Sequence, residues 1–123
     1  MQKTIFVVDD SDTILTLAEE ALENDFRVMT LPSVSGMFAL LEKIMPDLIL
    51  LDVEMPQTNG FEAMKRLKAS GEYKNIPVIF ATGMSDPADE AKGRELGAVD
   101  FIMKPFSGSV LLSKIKSHLN IDE

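Results

Sequence analysis

The chain has 123 residues, 46% of them hydrophobic, and 20 acidic against 12 basic residues give it a net charge of −8. That length predicts one domain, residues 1–123, burying roughly two thirds of its unfolded surface. The negative charge opposes binding to nucleic acid, whose backbone it would repel. With no cysteine there is no disulfide frame, thiolate metal site or thiol nucleophile. No apolar run approaches the roughly 20 residues of a membrane span, and the first eight residues lack the apolar core of a secretory signal. A cytoplasmic protein without a membrane partner is the expectation.

Thr4 to Val8 is an apolar, β-branched run that ends in Asp9, Asp10 and Ser11, the pattern of a buried strand with acids at its C-terminal tip. Ser11 can cap a helix that places Ile14, Ala18, Ala21 and Leu22 on one face, with Glu19, Glu20 and Glu23 outward. Phe26 to Leu31 is a shorter and more polar strand, suited to a position near a sheet edge. Ser33 then caps a helix whose Val34, Met37, Phe38, Leu41, Ile44 and Met45 face the core, and Pro46 stops it. Leu48 to Leu51 is a strand apolar on both faces, and it closes abruptly on Asp52.

Asn59 and Gly60 predict a turn, followed by an amphipathic helix marked by Phe61, Met64 and Leu67 that ends near Ser70 and Gly71. Ile76 to Ala81 is the fourth strand, ending in Thr82 and Gly83. Asp86 and Pro87 form an N-cap and first-turn pair for a helix reaching Gly97. Val99 to Met103 is the fifth strand, ending in Lys104 and Pro105, and Ser107 starts a last helix carrying Val110, Leu111, Ile115 and Leu119. Five strands alternating with five helices imply a doubly wound α/β fold, a five-stranded parallel sheet with helices on both faces.

In a parallel sheet every strand C-terminus lies along one edge, where ligands bind at the point of strand-order reversal. Asp9 and Asp10, Asp52, Thr82 and Lys104 all occupy such ends. Under the order 2-1-3-4-5, strands one and three are neighbours about 4.8 Å apart, so three carboxylates share one small pocket. Crowding of that kind is unfavourable unless protons or a cation relieve it. Carboxylate oxygens without His or Cys favour a hard cation, and few protein ligands favour Mg²⁺ over Ca²⁺. Asp10 and Asp52 are the expected ligands, with Asp9 acting through water. Lys104, two strands or roughly 10 Å from Asp52, can bring its ammonium near the cluster, with the Thr82 hydroxyl between. Such a set could hold a phosphoryl group on a carboxylate nucleophile. Singly, each residue has a plainer explanation as a cap, a turn residue or a surface lysine. Jointly, those explanations need separate coincidences on one sheet edge.

The same residues resemble the receiver domain of two-component response regulators, in particular the short chemotaxis type. The resemblance spans essentially the whole chain: Asp9 and Asp10; Asp52 with Met55, Pro56 and Gly60; Thr82 and Gly83; and Gly97, Ala98, Asp100 and Phe101 leading to Lys104, Pro105 and Phe106. An acidic pair alone says little, but four blocks in order, 42 residues from Asp10 to Asp52, 30 from there to Thr82 and 22 more to Lys104, are specific. The resemblance implies the flavodoxin-like strand order 2-1-3-4-5. It implies that Asp52 accepts a phosphoryl group from a histidine kinase, a phosphotransfer protein or a small phosphodonor, with a downstream protein target. It implies Mg²⁺ held by Asp10, Asp52 and the backbone carbonyl of Glu54, with Asp9 assisting, and Lys104 and Thr82 on the phosphoryl oxygens. Phe101 matches the family's switch aromatic and Lys104–Pro105 its cis peptide.

A signalling switch, not a turnover enzyme, is therefore expected, its change reaching a partner through the face of helix four, strand five and helix five. Glu54 and Met84 stand where the family modulates the water reaching the acyl phosphate; Met84 could shield it and Glu54 could orient water or repel it, which leaves its lifetime open. Gly93, inside the fourth helix, costs about 1 kcal/mol relative to Ala and is expected to soften an element that must shift. Two other functions compete. An aspartyl-phosphate phosphohydrolase would need a substrate pocket that so short a chain does not offer. A flavin-binding module would need a phosphate-cradling loop where Asp9 and Asp10 stand.

Overall fold

A computed structural model describes residues 2–55, 59–83 and 87–120. Pro56, Met84 and Asp86, each given a role above, lie outside the described residues. The elements alternate as β1 (Thr4–Val8), α1 (Asp12–Leu22), β2 (Arg27–Leu31), α2 (Val34–Leu41), β3 (Leu48–Asp52), α3 (Gly60–Ala69), β4 (Val78–Thr82), α4 (Pro87–Glu95), β5 (Asp100–Met103) and α5 (Gly108–His118). All four strand pairings are parallel, in the order β2-β1-β3-β4-β5. Among the described residues no helix is long and apolar enough to cross a membrane.

Every residue of β1, β3 and β4 is buried, because helices cover both faces of the three inner strands. Alternation along the pleat sorts their side chains into two cores. Phe6, Val8, Ile49, Leu51, Val78 and Phe80 pack with Val34, Met37 and Leu41 of α2 and Phe61, Met64 and Leu67 of α3. Ile5, Val7, Leu48, Leu50, Ile79 and Ala81 pack with Leu15, Ala18 and Leu22 of α1 and Leu111 and Ile115 of α5. β2, at an edge, is mostly half-buried, as its polar sequence predicts.

Side-chain caps start α1, α2, α3 and α5. Ser11 accepts from Ile14 N at 3.3 Å, Ser33 from Gly36 N at 3.0 Å and Ser107 from Val110 N at 3.2 Å. Asn59, expected in a turn, is the N-cap of α3, accepting from Glu62 N at 2.9 Å. Two expectations about helix faces need correction. α2 ends at Leu41 rather than running to Pro46; Ile44 lies beyond it and still packs against the core, while Met45, driven out of the α region by the following proline, is 49% exposed. On α5, Val110 is 48% exposed while Leu111 is buried, one step of about 100° along the helix separating them. On α1, Ala18 and Leu22 are buried and Ile14 and Ala21 pack half-buried against the same core, as expected, and Leu15 joins them.

α4 differs from the other helices. Its single buried residue is Gly93, so it brings almost no apolar side chain to the core. It ends in a Schellman turn, with Gly97 N bonded to Arg94 O at 3.0 Å and Ala98 N to Gly93 O at 3.1 Å. Gly97 carries φ +111° there, a value L side chains avoid.

Val53 and Gly60 are tied by backbone bonds, Val53 to the sheet and Gly60 to Val53. Val53 N donates to Ala81 O at 3.1 Å and Gly60 N to Val53 O at 2.8 Å. A Cβ at Gly60 would fall 2.4 Å from Asp52 O and 2.9 Å from Val53 Cα, both backbone atoms that cannot yield. Gly60→Ala is expected to destabilise the protein by roughly 1–3 kcal/mol through overpacking, reversing the gain of about 1 kcal/mol that alanine brings to an unstrained helix position. Urea unfolding at constant m-value measures it, and a neutral or stabilising result would contradict this account of the close approach.

Candidate phosphoacceptor site

The site lies at the C-terminal edge of the sheet, where β1 and β3 adjoin and the chain order reverses on either side of β1. Asp52 and Thr82 close their strands, Asp9 and Lys104 stand one step beyond theirs and Asp10 two steps, and backbone bonds continue the ladder at Asp9 and Lys104. Asp9 N donates to Leu31 O at 3.1 Å and Lys104 N to Thr82 O at 2.9 Å. Asp52 closes β3 opposite Ala81, and Thr82 closes β4 opposite Met103. The side chains are thus presented by the most rigid part of the molecule.

Asp9 and Asp52 are only 1% and 2% exposed, whereas Asp10 is open to solvent. Carboxylate oxygens of all three lie within 4.8 Å of one another. The Lys104 ammonium sits between the buried pair, 2.7 Å from Asp9 Oδ2 and 3.0 Å from Asp52 Oδ1. The expected approach of Lys104 to Asp52 is present, and its tighter approach to Asp9 is a contact the sequence did not reveal. Asp9, expected to act on a metal through water, is buried. Its Oδ1 accepts from Ser11 N at 2.9 Å, and its buried Oδ2 meets the ammonium as a charge partner outside hydrogen-bond geometry. Asp52 Oδ1 also accepts from Glu54 N at 3.2 Å. Thr82 is buried at the neighbouring strand end, and exposed Glu54 follows β3. Phe101 is half-buried, and the Lys104–Pro105 peptide is cis.

The electrostatics follow from three acids sharing one ammonium. Burial pushes the Asp52 carboxyl up from 3.8; the Lys104 hydrogen bond and charge pull it down, the Asp9 charge adds to the rise, and the outcome is about 6. Burial alone would lower the Lys104 ammonium, but the carboxylates of Asp9 and Asp52 outweigh it and hold its pKa above the ordinary value. One cation does not satisfy the cluster. An oxygen-only donor set with no His or Cys, together with the buried Asp9 Oδ2 that lacks a hydrogen-bond partner, suits a hard divalent cation.

A second polar cluster went unforeseen. Asp100, at the start of β5, accepts from Phe101 N at 2.8 Å and meets His118 Nε2 at 2.8 Å, Lys114 Nζ at 3.3 Å and Arg94 at 3.9 Å. Burial would raise its carboxyl, but the His118 hydrogen bond, the Phe101 N–H and Lys114 hold it below the usual value. The signal available in the sequence was Lys114 and His118 at i, i+4, which places both on one face of α5.

In metal-free protein the Asp52 carboxyl should titrate near pH 6 in carboxyl-detected NMR. Because its folded value lies above the unfolded 3.8, the unfolded chain releases this proton first. Asp52 therefore makes the protein less stable as pH rises from about 4 through about 6. With chelator present, Asp52→Asn should melt higher than the wild type at pH 8, and the difference should shrink below pH 4. An Asn variant that melts lower at pH 8 would contradict the charge-crowding account.

Residues 5–116 match the family model of the response regulator receiver domain. A probable cyclic di-GMP phosphodiesterase of Vibrio cholerae is 39% identical over 118 residues, covering 96% of this chain and 27% of that protein. The response regulator protein GraR of Staphylococcus epidermidis is 30% identical over 114 residues, covering 92% of this chain and 50% of GraR. This chain thus spans half or less of the length of these relatives. Among solved structures, the chemotaxis protein CheY4 of Vibrio cholerae superposes with a TM-score of 0.90 at 28% identity, over 95% of this chain and 98% of that one. DrrB of Thermotoga maritima, an OmpR/PhoB homologue, gives 0.85 at 33% identity, over 98% of this chain and 54% of that one. The order 2-1-3-4-5, the acidic pocket at the β1/β3 edge and these matches agree, and the chain belongs to the response regulator receiver domain family of two-component signalling.

Proposed function

We propose that Asp52 is the phosphoacceptor of a two-component switch and that the chain receives its phosphoryl group from a histidine kinase, a phosphotransfer protein or a small acyl phosphate. The observation that carries this reading is the Lys104 ammonium lodged between Asp9 and Asp52, with three carboxylates within 4.8 Å. In the transfer, an Asp52 carboxylate oxygen attacks the donor phosphorus. The phosphorus–nitrogen bond of a phosphohistidine breaks, its electron pair returns to the imidazole, and an acyl phosphate forms on Asp52.

The chain's own groups prepare that step. Ionised Asp52 is the attacking form, so its burial works against it and a neighbouring positive charge is required. Lys104 is anchored through its backbone to Thr82 O and lies close enough to pair with a phosphoryl oxygen on Asp52. Asp9, Asp10, Asp52 and the backbone carbonyl of Glu54 would hold Mg²⁺, which would neutralise charge on the phosphoryl oxygens when bound. The new group adds about −1.5 to −2 charge. Thr82 would move to bond one of its oxygens, and Phe101 would respond on the face formed by α4, β5 and α5. This reading makes the chain a cytoplasmic switch that assists its own phosphorylation and dephosphorylation, with a protein as downstream target and no turnover of an external substrate.

Incubation with acetyl phosphate and Mg²⁺ should add one phosphoryl group by intact mass, and chelator or Asp52→Asn should abolish it. Unmodified wild type, or an Asn variant that labels equally, would remove the basis of the reading.

A further inference from the structure

Phe61, Phe80 and Phe101 form a row beneath α4. Phe61 and Phe80 meet edge to face with centroids 5.3 Å apart, and Phe80 and Phe101 lie 5.6 Å apart at a tilt of 42°. Above this row stand three consecutive residues of α4. Lys92 lies over the Phe61 ring at 5.0 Å and Arg94 over the Phe101 ring at 5.4 Å. Between them is Gly93, the one buried residue of the helix. A Cβ built on Gly93 would lie 2.4 Å from Phe101 Cζ, 3.1 Å from Phe80 Cδ2 and 3.2 Å from Phe101 Cε2. No atom pair tolerates the first of these distances, so a methyl group at position 93 and the Phe101 ring in its present place exclude one another.

We propose that Gly93 is the positioning residue for Phe101: the side chain it lacks leaves a notch in α4 in which the ring tip rests, and a seated ring ties β5 to α4. The contact is a more specific reason for glycine than softening of the helix. What opposes a larger residue most closely is the movable tip of the Phe101 ring, not backbone, so that ring must move aside, while buried Phe80 needs to give by only a few tenths of an ångström. It has somewhere to go. A pocket of about 450 Å³, partly open to solvent, lies beside it, bordered by Val53, Phe61, Thr82, Arg94, Met103 and Lys114. The ring therefore has two seats, one against Gly93 and one toward Thr82. Occupancy of the first holds α4 in place, and departure from it releases a helix with almost no apolar anchorage of its own. The inference rests on the switch reading of Phe101 and adds the residue that sets its resting position.

The test uses the unphosphorylated chain. In wild type, ring protons of Phe101 should show strong NOEs to the Gly93 Hα protons. In Gly93→Ala those ring protons should instead contact Thr82 and Met103, without any phosphoryl donor. Thermal unfolding should fall for Gly93→Ala in the wild-type background and fall clearly less, or not at all, when the same change is made with Phe101→Ala, because only the 3.1 Å approach to Phe80 Cδ2 then opposes the gain in helix propensity. If Gly93→Ala alone does not fold, recovery of the fold in the double variant supports the notch, and failure of both variants overturns it. Ring contacts unchanged in Gly93→Ala, or an equal loss of stability in both backgrounds, would also overturn it. These measurements need no phosphorylation, so an Asp52 that takes no phosphoryl group defeats the switch reading and is distinguishable from failure of the notch.

Discussion

The structure depends on one ammonium holding two buried carboxylates. At an effective dielectric constant near 20, two carboxylates at the separations found here repel by about 3–4 kcal/mol, and Asp9 and Asp52 are both withdrawn from water. Lys104 reaches them from β5, across β4, so the far edge of the sheet is electrostatically tied to its centre. Any change in charge at Asp52 must be felt by Lys104, whose own backbone is bonded to Thr82. The chemistry and the route out of the site thus share a residue.

Rigidity and looseness are distributed unequally around this pair. β1, β3 and β4 are buried along their whole length, and Gly60 packs closely against the backbone of Asp52 and Val53. On the other side, α4 rests on an aromatic row through a glycine and two cations. Exposed cation–π contacts are worth about 0.5–1 kcal/mol each, far less than a buried leucine contributes. A stiff acceptor beside a weakly held helix is what a switch needs, because a local charge change can move only what is not already packed in place.

Much of this was legible in the sequence, for reasons that differ by feature. The inner strands announced themselves because burial on both faces leaves an unbroken apolar run, as in Leu48 to Leu51. The acids and Lys104 were legible because they terminate such runs, and parallel topology gathers all terminations on one edge. Helix faces were less certain where apolar residues lie side by side: nothing local distinguishes Val110 from Leu111, and packing made the choice. The depth of Asp9, its pairing with Lys104 and the Asp100 cluster depend on side-chain direction across strands that are distant in sequence. Gly93 carried a signal, a glycine inside a helix, but the ring that explains it sits eight positions later on another element.

The central claim is that phosphoryl transfer occurs on the Asp52 carboxylate and nowhere else. An acyl phosphate, unlike a phosphate ester or a phosphohistidine, is reduced by borohydride to an alcohol, so trapping converts the modified aspartate to homoserine at a position that peptide mapping identifies. After treatment with acetyl phosphate and Mg²⁺, the account predicts homoserine at position 52 alone. Homoserine at position 9 or 10, or a phosphoryl group that survives borohydride on a serine, a threonine or His118, would contradict it.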